Sequence, residues 1–248
     1  MNNSLSSEGI KFLKKLQQKK NRQEFQRVVV EGFRTIEQIS KSGIWFEDIF
    51  ITGNCQFSLE NIKTKRIFNL PHWQIEKIAS TKTPQNICGL INTKTVPVLE
   101  NKFLLYLDKI SDPGNLGAII RSAAAAGTSG IILSPECCEI FNPKVIRASS
   151  GLVFSFPIEV HDHDWLKVQD SQIIVTTANG LTDLFSLKIP KQNIILVIGS
   201  EAFGVSQEIL NFADQTIRIP ISKQVESLNA AVAAGICIFF LSSKIDQK

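Results

Sequence analysis

Phe103-Leu-Leu-Tyr-Leu-Asp-Lys-Ile-Ser-Asp-Pro-Gly-Asn-Leu-Gly-Ala-Ile-Ile-Arg-Ser-Ala-Ala-Ala-Ala-Gly127 reads as one strand, one turn and one helix. Residues 103–107 are a continuous apolar run. Asp112, Pro113 and Gly114 make the turn, Asn115 is a candidate helix N-cap, and Gly127 is a candidate stop. Similar runs rich in Ile and Val recur at 130–133, 172–177, 193–199 and 216–219, with helical segments between them. Strands that are apolar throughout and alternate with helices predict an α/β fold, a parallel sheet with helices on both faces.

Upstream the pattern is different. Ile10, Leu13 and Leu16 have helical spacing and predict a helix from Ser7 to about Lys20. Residues 26–31 read as a strand, 34–42 as a helix and 45–52 as a second strand, with further strands at 65–69 and 88–92. The polar run 93–102 separates this half from the next. We therefore expect a small α/β domain over 1–95, a linker over 96–102 and a larger domain over 103–248.

Charge follows the same division. Residues 1–95 hold 15 Lys/Arg against 8 Asp/Glu, and 96–248 hold 12 against 15, so a segment of +7 precedes one of −3 within a chain of net +4. A basic domain joined to a near-neutral one suggests a polyanion held by the first and acted on by the second. Lys15, Lys19, Arg22 and Arg34 are the candidate contacts to that polyanion, although a basic helix face is also an ordinary solvated surface. The five cysteines are odd in number and lack CxxC spacing, so neither a disulfide framework nor a zinc ribbon is indicated. The longest apolar run, 230–241, is shorter than the about 20 residues a membrane span needs. A soluble, cytoplasmic protein is expected.

In a parallel sheet, ligands sit beyond the carboxyl ends of the strands, so three segments are candidates. The first holds Asn115 and Arg121. A lone arginine on an alanine-rich helix is either an anion clamp or half of a structural ion pair. The second holds Gly199, where backbone can approach a ligand, and Glu201, an acceptor for exposed N–H groups. The third runs from Ile219-Pro220 to Ser227-Leu228-Asn229 ahead of small residues, where Ser and Asn are equally readable as helix caps.

Taken in order and with these gaps, Asn115 with Arg121, Gly199 with Glu201, and Pro220 with Ser227-Leu228-Asn229 resemble the three motifs of the SpoU (TrmH-type) RNA 2′-O-methyltransferases of the SPOUT class. Arg147-Ala-Ser-Ser-Gly-Leu-Val-Phe-Ser-Phe-Pro157 and Thr83-Pro-Gln85 look like the same family, and 1–95 resembles its ribosomal-protein-like substrate-binding domain. The resemblance implies a deep trefoil knot in the C-terminal sheet, an exception to the rule against knotted chains. It implies S-adenosylmethionine held by Gly199, Ile219 and Leu228, with a further loop at Ala178, Asn179 and Gly180. It implies Arg121 as the essential arginine, with Asn115, Glu201, Ser227 and Asn229 orienting it and the ribose.

A guanidinium titrates above about 12, so clamping phosphate and stabilising an alkoxide suit it better than acting as base. The leaving group is a neutral thioether, so no metal is expected. The expected partners are RNA, ribosomal rather than transfer, and a second copy of the chain as a homodimer. Ala231 stands where the family often has serine, which leaves a hydroxyl role to Ser227. Methylation of transfer RNA, methylation of a base nitrogen and RNA binding without catalysis are the competing readings. His161-Asp-His-Asp164 reads as a solvated loop rather than a metal site, and Cys137-Cys138 is not spaced for chelation.

Overall fold

The computed structural model describes residues 5–53, 55–100, 102–188 and 193–245. Two compact units divide the chain, Met1–Thr95 with Glu139–Ser155, and Val96–Cys138 with Phe156–Lys248.

The first unit contains α1 (Ser7–Lys15), α2 (Lys19–Phe25), β1 (Arg27–Glu31), α3 (Phe33–Lys41), β2 (Phe46–Ile51), β3 (Thr64–Asn69), α4 (His72–Ile78) and β4 (Ile87–Asn92). Its sheet has the order β1-β4-β2-β3, with β4 antiparallel to both neighbours and β2 parallel to β3. Ile10, Leu13 and Leu16 are buried with Val29, Phe50, Ile75 and Leu90, as their helical spacing requires.

The helix expected to run to Lys20 is broken after Lys15. Its cause is Arg22, whose Nη1 donates to the carbonyls of Leu16 (2.9 Å) and Gln17 (2.7 Å). Those are the carbonyls that a continuous helix would have satisfied internally.

The second unit contains β5 (Phe103–Asp108), α5 (Pro113–Ala125), β6 (Gly130–Leu133), β7 (Ile158–Val160), α7 (Asp164–Lys167), β8 (Gln172–Thr176), β9 (Thr182–Asp183), β10 (Ile194–Gly199), α8 (Gln207–Asn211), β11 (Gln215–Arg218) and α9 (Ala230–Ile245). Helix α6 (Pro143–Ala148) belongs to the first unit. The seven strands take the order β7-β6-β5-β10-β8-β11-β9, and every neighbouring pair is parallel. The sheet is therefore the expected α/β arrangement. All six residues of β5 are buried, which is why the run reads as apolar throughout.

Chain order and strand order part company at the centre, where β10 inserts between β5 and β8. That is the kind of crossover at which a parallel sheet opens a crevice.

Three boundaries differ from expectation. The block expected from 103 to 248 is interrupted, because Glu139–Ser155 belongs to the first unit. There the Glu139 carboxylate holds Arg22, Arg147 Nη1 donates to Ser80 Oγ at 2.8 Å, and a Cβ on Gly151 would lie 2.6 Å from Ile39. Val96 and Val98 of the expected 96–102 linker are tied to the sheet edge, where Ile158 N–H donates to the Val96 carbonyl and Val98 N–H to Glu159 Oε1. Asn115 is not the cap of α5. Asp112 is, accepting from the Asn115 N–H at 2.8 Å with Pro113 in the first turn. Gly127 does end the helix, at φ +71°.

Candidate active site

A cavity of about 270 Å³ opens beyond the carboxyl ends of β8, β10 and β11. Its walls are mostly apolar, formed by Thr176–Ala178, Ile198, Gly199, Ile217, Ile219, Leu228, Ala233 and Cys237. Ser200, Glu201, Glu226 and Ser227 add polar groups. Of the residues expected to hold a cofactor, Gly199, Ile219, Leu228 and Ala178 line this cavity.

Asn179 and Gly180 are not among the lining residues. Gly180 instead closes a turn, donating its N–H to the Thr177 carbonyl, and presses on β11 so closely that a Cβ would lie 2.2 Å from the Ile217 carbonyl carbon. Gly199 also needs its missing Cβ, but for the protein's own sake. A Cβ there would meet the Gly204 backbone at 2.2 Å, so the chain folds back over the strand end.

The three segments are joined by side-chain amides. Asn115 Nδ2 donates to Glu201 Oε1, and Asn229 Nδ2 donates to Asn115 Oδ1 at 3.0 Å. Asn229 Oδ1 accepts from the N–H groups of Ala231 (3.0 Å) and Val232 (3.2 Å), which caps α9. The polarity of this chain is set at one end. A carboxylate only accepts, so Asn115 must present its NH₂ to Glu201 and its oxygen to Asn229. The capping and orienting readings of Asn229 thus hold together.

Arg121 lies six residues beyond Asn115 on α5 and is exposed. It carries no burial cost, and it makes no ion pair or hydrogen bond among the described residues. The structural ion pair considered for it is absent from that set.

Lys15, Lys19 and Arg34 are exposed on the first unit. Arg22, expected among the RNA-binding residues, is corrected here. It is 3% exposed, and its Nε and Nη2 clasp both Glu139 oxygens at 2.9 and 2.5 Å, which leaves no free donor face for RNA.

The 161–164 loop is engaged by neighbours. His161 sits 2.8 Å from Glu159, whose carboxyl it holds below the usual range. His163 pairs with Glu208, and the Lys167 ammonium lies against both Asp164 and Glu208. His163, Asp164 and Glu208 could place ligand atoms within 4.8 Å of one another, but that ammonium already neutralises the carboxylates.

Sequence reading missed Asp108, Glu226 and Cys237. Glu226 immediately precedes Ser227, and its place beside the third segment was the available signal. Cys237 is fully buried, and burial pushes its thiol up to about 12. Iodoacetamide at pH 8 should alkylate it more than about a hundredfold more slowly than the half-exposed Cys55. Peptide mass spectrometry over time measures both, and equal rates would mean that the cavity wall opens.

A parallel α/β sheet, a cavity at its crossover and an Asn–Asn–Glu chain that reaches that cavity through Glu201 agree with the methyltransferase core that the sequence resembles. The chain belongs to the SpoU rRNA Methylase family, whose model matches residues 102–239, and residues 7–89 match the MRM3-like substrate binding domain. It is 28% identical over 244 residues to the 23S rRNA (guanosine(2553)-2′-O)-methyltransferase RlmP of Bacillus subtilis, covering 96% of this chain and 97% of that one. It is 37% identical over 141 residues to the 23S rRNA (guanosine-2′-O-)-methyltransferase RlmB of Xylella fastidiosa, covering 55% and 56%. The crystal structure of an AdoMet-bound rRNA methyltransferase from Sinorhizobium meliloti superposes with a TM-score of 0.83 at 27% identity, covering 97% of this chain and 96% of that one.

Proposed function

We propose that this protein transfers the methyl group of S-adenosylmethionine to a ribose 2′-hydroxyl in ribosomal RNA. The observation that carries the reading is the hydrogen-bonded chain Asn229–Asn115–Glu201, which ties three sequence-distant segments together and reaches the cavity wall at Glu201.

The cavity suits the cofactor. Its apolar walls accept a flat base, Glu201 and Glu226 face a ligand that bears cationic centres, and no lysine or arginine is among the described lining residues. Gly199, Ile219, Leu228 and Ala178 would hold it. The bound cofactor supplies an electrophilic methyl on sulfur.

The protein's own residues do the rest. Glu201 fixes the Asn115 amide, and Asn115 fixes Asn229, so the first helical turns of α5 and α9 are held together on one side of the site. The Arg121 guanidinium, which has no ion pair or hydrogen bond among the described residues, binds the target phosphate and stabilises the negative charge that develops on the 2′-oxygen. Ser227, at the cavity wall, orients the ribose.

The exposed Lys15, Lys19 and Arg34 of the first unit attract the RNA. Asn179 and Gly180 shape the loop behind Ala178 rather than touch the cofactor. The domain that carries the chemistry begins near residue 103, and its sheet closes in a trefoil knot. Two copies associate as a homodimer in the cytoplasm, and among the described residues no helix is long and apolar enough to cross a membrane.

The test is incubation of the protein with S-adenosylmethionine and ribosomal RNA, followed by nuclease digestion and mass spectrometry. A 2′-O-methylnucleoside is expected. A base-methylated nucleoside, or methylation of transfer RNA alone, would overturn the reading.

A further inference from the structure

We infer that Asp108 is a positioning residue that pins the loop bearing Glu201 to the end of β5, and that cofactor affinity and turnover depend on this pin. The inference rests on the methyltransferase reading above.

Asp108 and Gly199 are register partners at the ends of the adjacent parallel strands β5 and β10. The Asp108 carboxylate is only 2% exposed, and a carboxylate taken out of water requires donors. Its Oδ2 accepts from the Ser206 N–H at 2.7 Å, the short separation expected of a charge-assisted bond. Ser206 is the residue at which the loop after β10 enters α8.

Between Gly199 and Ser206 the chain doubles back. Gly204 N–H donates to the Ser200 carbonyl at 2.9 Å, Phe203 N–H donates to Ser200 Oγ at 3.2 Å, and Gly204 adopts φ +65°. Asp108 holds this loop at its base, and Ser200, Glu201 and Gly204 of the same loop form cavity wall.

On its other side, the Asp108 backbone leads within a few residues into α5, which carries Asn115 and Arg121. The exit is sharply bent. Lys109 sits at φ +58°, an uncommon conformation for a side-chain-bearing residue, and its N–H is held by Ser134 Oγ at 3.0 Å. One buried carboxylate therefore sets the distance between the segment that carries Arg121 and the loop that carries Glu201. The Asn115–Glu201 bond is the second tie between the same two segments.

Asp108→Ala removes the acceptor, whereas Asp108→Asn keeps an oxygen at that place. The alanine variant should bind S-adenosylmethionine about tenfold more weakly and turn over about tenfold more slowly, the worth of one hydrogen bond to a charged group. The asparagine variant should stay within about threefold of wild type. Ser206→Pro removes the donor instead, at a residue whose φ of −61° proline accepts, and should reproduce the alanine result even if Asp108→Ala folds poorly.

Calorimetric affinity, single-turnover rate per folded molecule, and amide hydrogen exchange across 200–206 are the readouts. Faster exchange in that loop is expected of both disrupting variants. If their affinity, rate and exchange match wild type while only the melting temperature falls, Asp108 merely supports folding and the inference is wrong. If wild type itself does not bind S-adenosylmethionine but the exchange changes appear, the pin stands and the methyltransferase reading fails.

Discussion

Arg121→Ala is expected to lower the single-turnover rate of methyl transfer by about 10²- to 10³-fold while leaving S-adenosylmethionine affinity within about twofold. The size follows from the role, because a donor aimed at developing oxyanion charge acts in the transition state far more than in the ground state. The structure makes the experiment clean. Arg121 is exposed on α5 and unpaired among the described residues, so its removal should cost little stability, and lost activity reports on chemistry rather than on unfolding. Arg121→Lys separates charge from shape. A lysine keeps the charge but lacks the planar fork that grips phosphate through two parallel bonds, so partial recovery, within about tenfold of the alanine variant, is expected. An alanine variant with undiminished turnover would remove Arg121 from the mechanism.

How much of this was legible beforehand depended on where the determining partner lay. β5, β6, β8, β10 and β11 were readable because residues buried on both faces are apolar without alternation, and β5 shows that directly, whereas the short edge strands β7 and β9 were not expected. The Asn229–Asn115–Glu201 chain was accessible only as three resembling motifs, since no single segment holds two of its members. Asn115 looked like a cap because it follows a Pro-Gly turn. Its own N–H is in fact bound by Asp112, three residues earlier, and the turn-forming residue is the cap.

Gly199 was read as a place where backbone approaches a ligand and Gly180 as part of a cofactor loop, and both are positions with no room for a Cβ. What excludes it, the Gly204 backbone in one case and Ile217 in the other, is a contact that only the folded chain supplies. The break after α1 and the membership of Glu139–Ser155 were illegible for different reasons. The break goes with Arg22 bonding the Leu16 and Gln17 carbonyls, and the membership with the Arg147–Ser80 bond, the Gly151–Ile39 contact and the Arg22–Glu139 ion pair, whose members lie 117 residues apart, so local periodicity carries no information about them.

That pair supports the largest expected effect on stability. Arg22 and Glu139 have side chains only 4% and 11% exposed, and the guanidinium spends its remaining donor on the Leu16 and Gln17 carbonyls. Arg22→Ala leaves a nearly buried carboxylate without its counter-charge and two carbonyls without a donor. A loss of about 3–5 kcal/mol is expected, a large share of the about 5–15 kcal/mol that holds a typical domain.

Glu139→Ala strands the arginine and should cost a comparable amount. The two losses should not add, because the second substitution removes a partner that is already unpaired. Arg22→Met with Glu139→Leu, which replaces both charges by apolar groups of similar reach, should recover most of the stability. Urea unfolding followed by circular dichroism measures all four chains, and a loss below about 1 kcal/mol for Arg22→Ala would return the residue to the solvated, RNA-facing surface. Lys15→Ala and Lys19→Ala provide the contrast. Both lysines are exposed, so their replacement should leave the unfolding midpoint in place and instead flatten the salt dependence of RNA binding. The basic residues of one short segment thus divide into a buried strut and an exposed face, a division that their charge alone does not reveal.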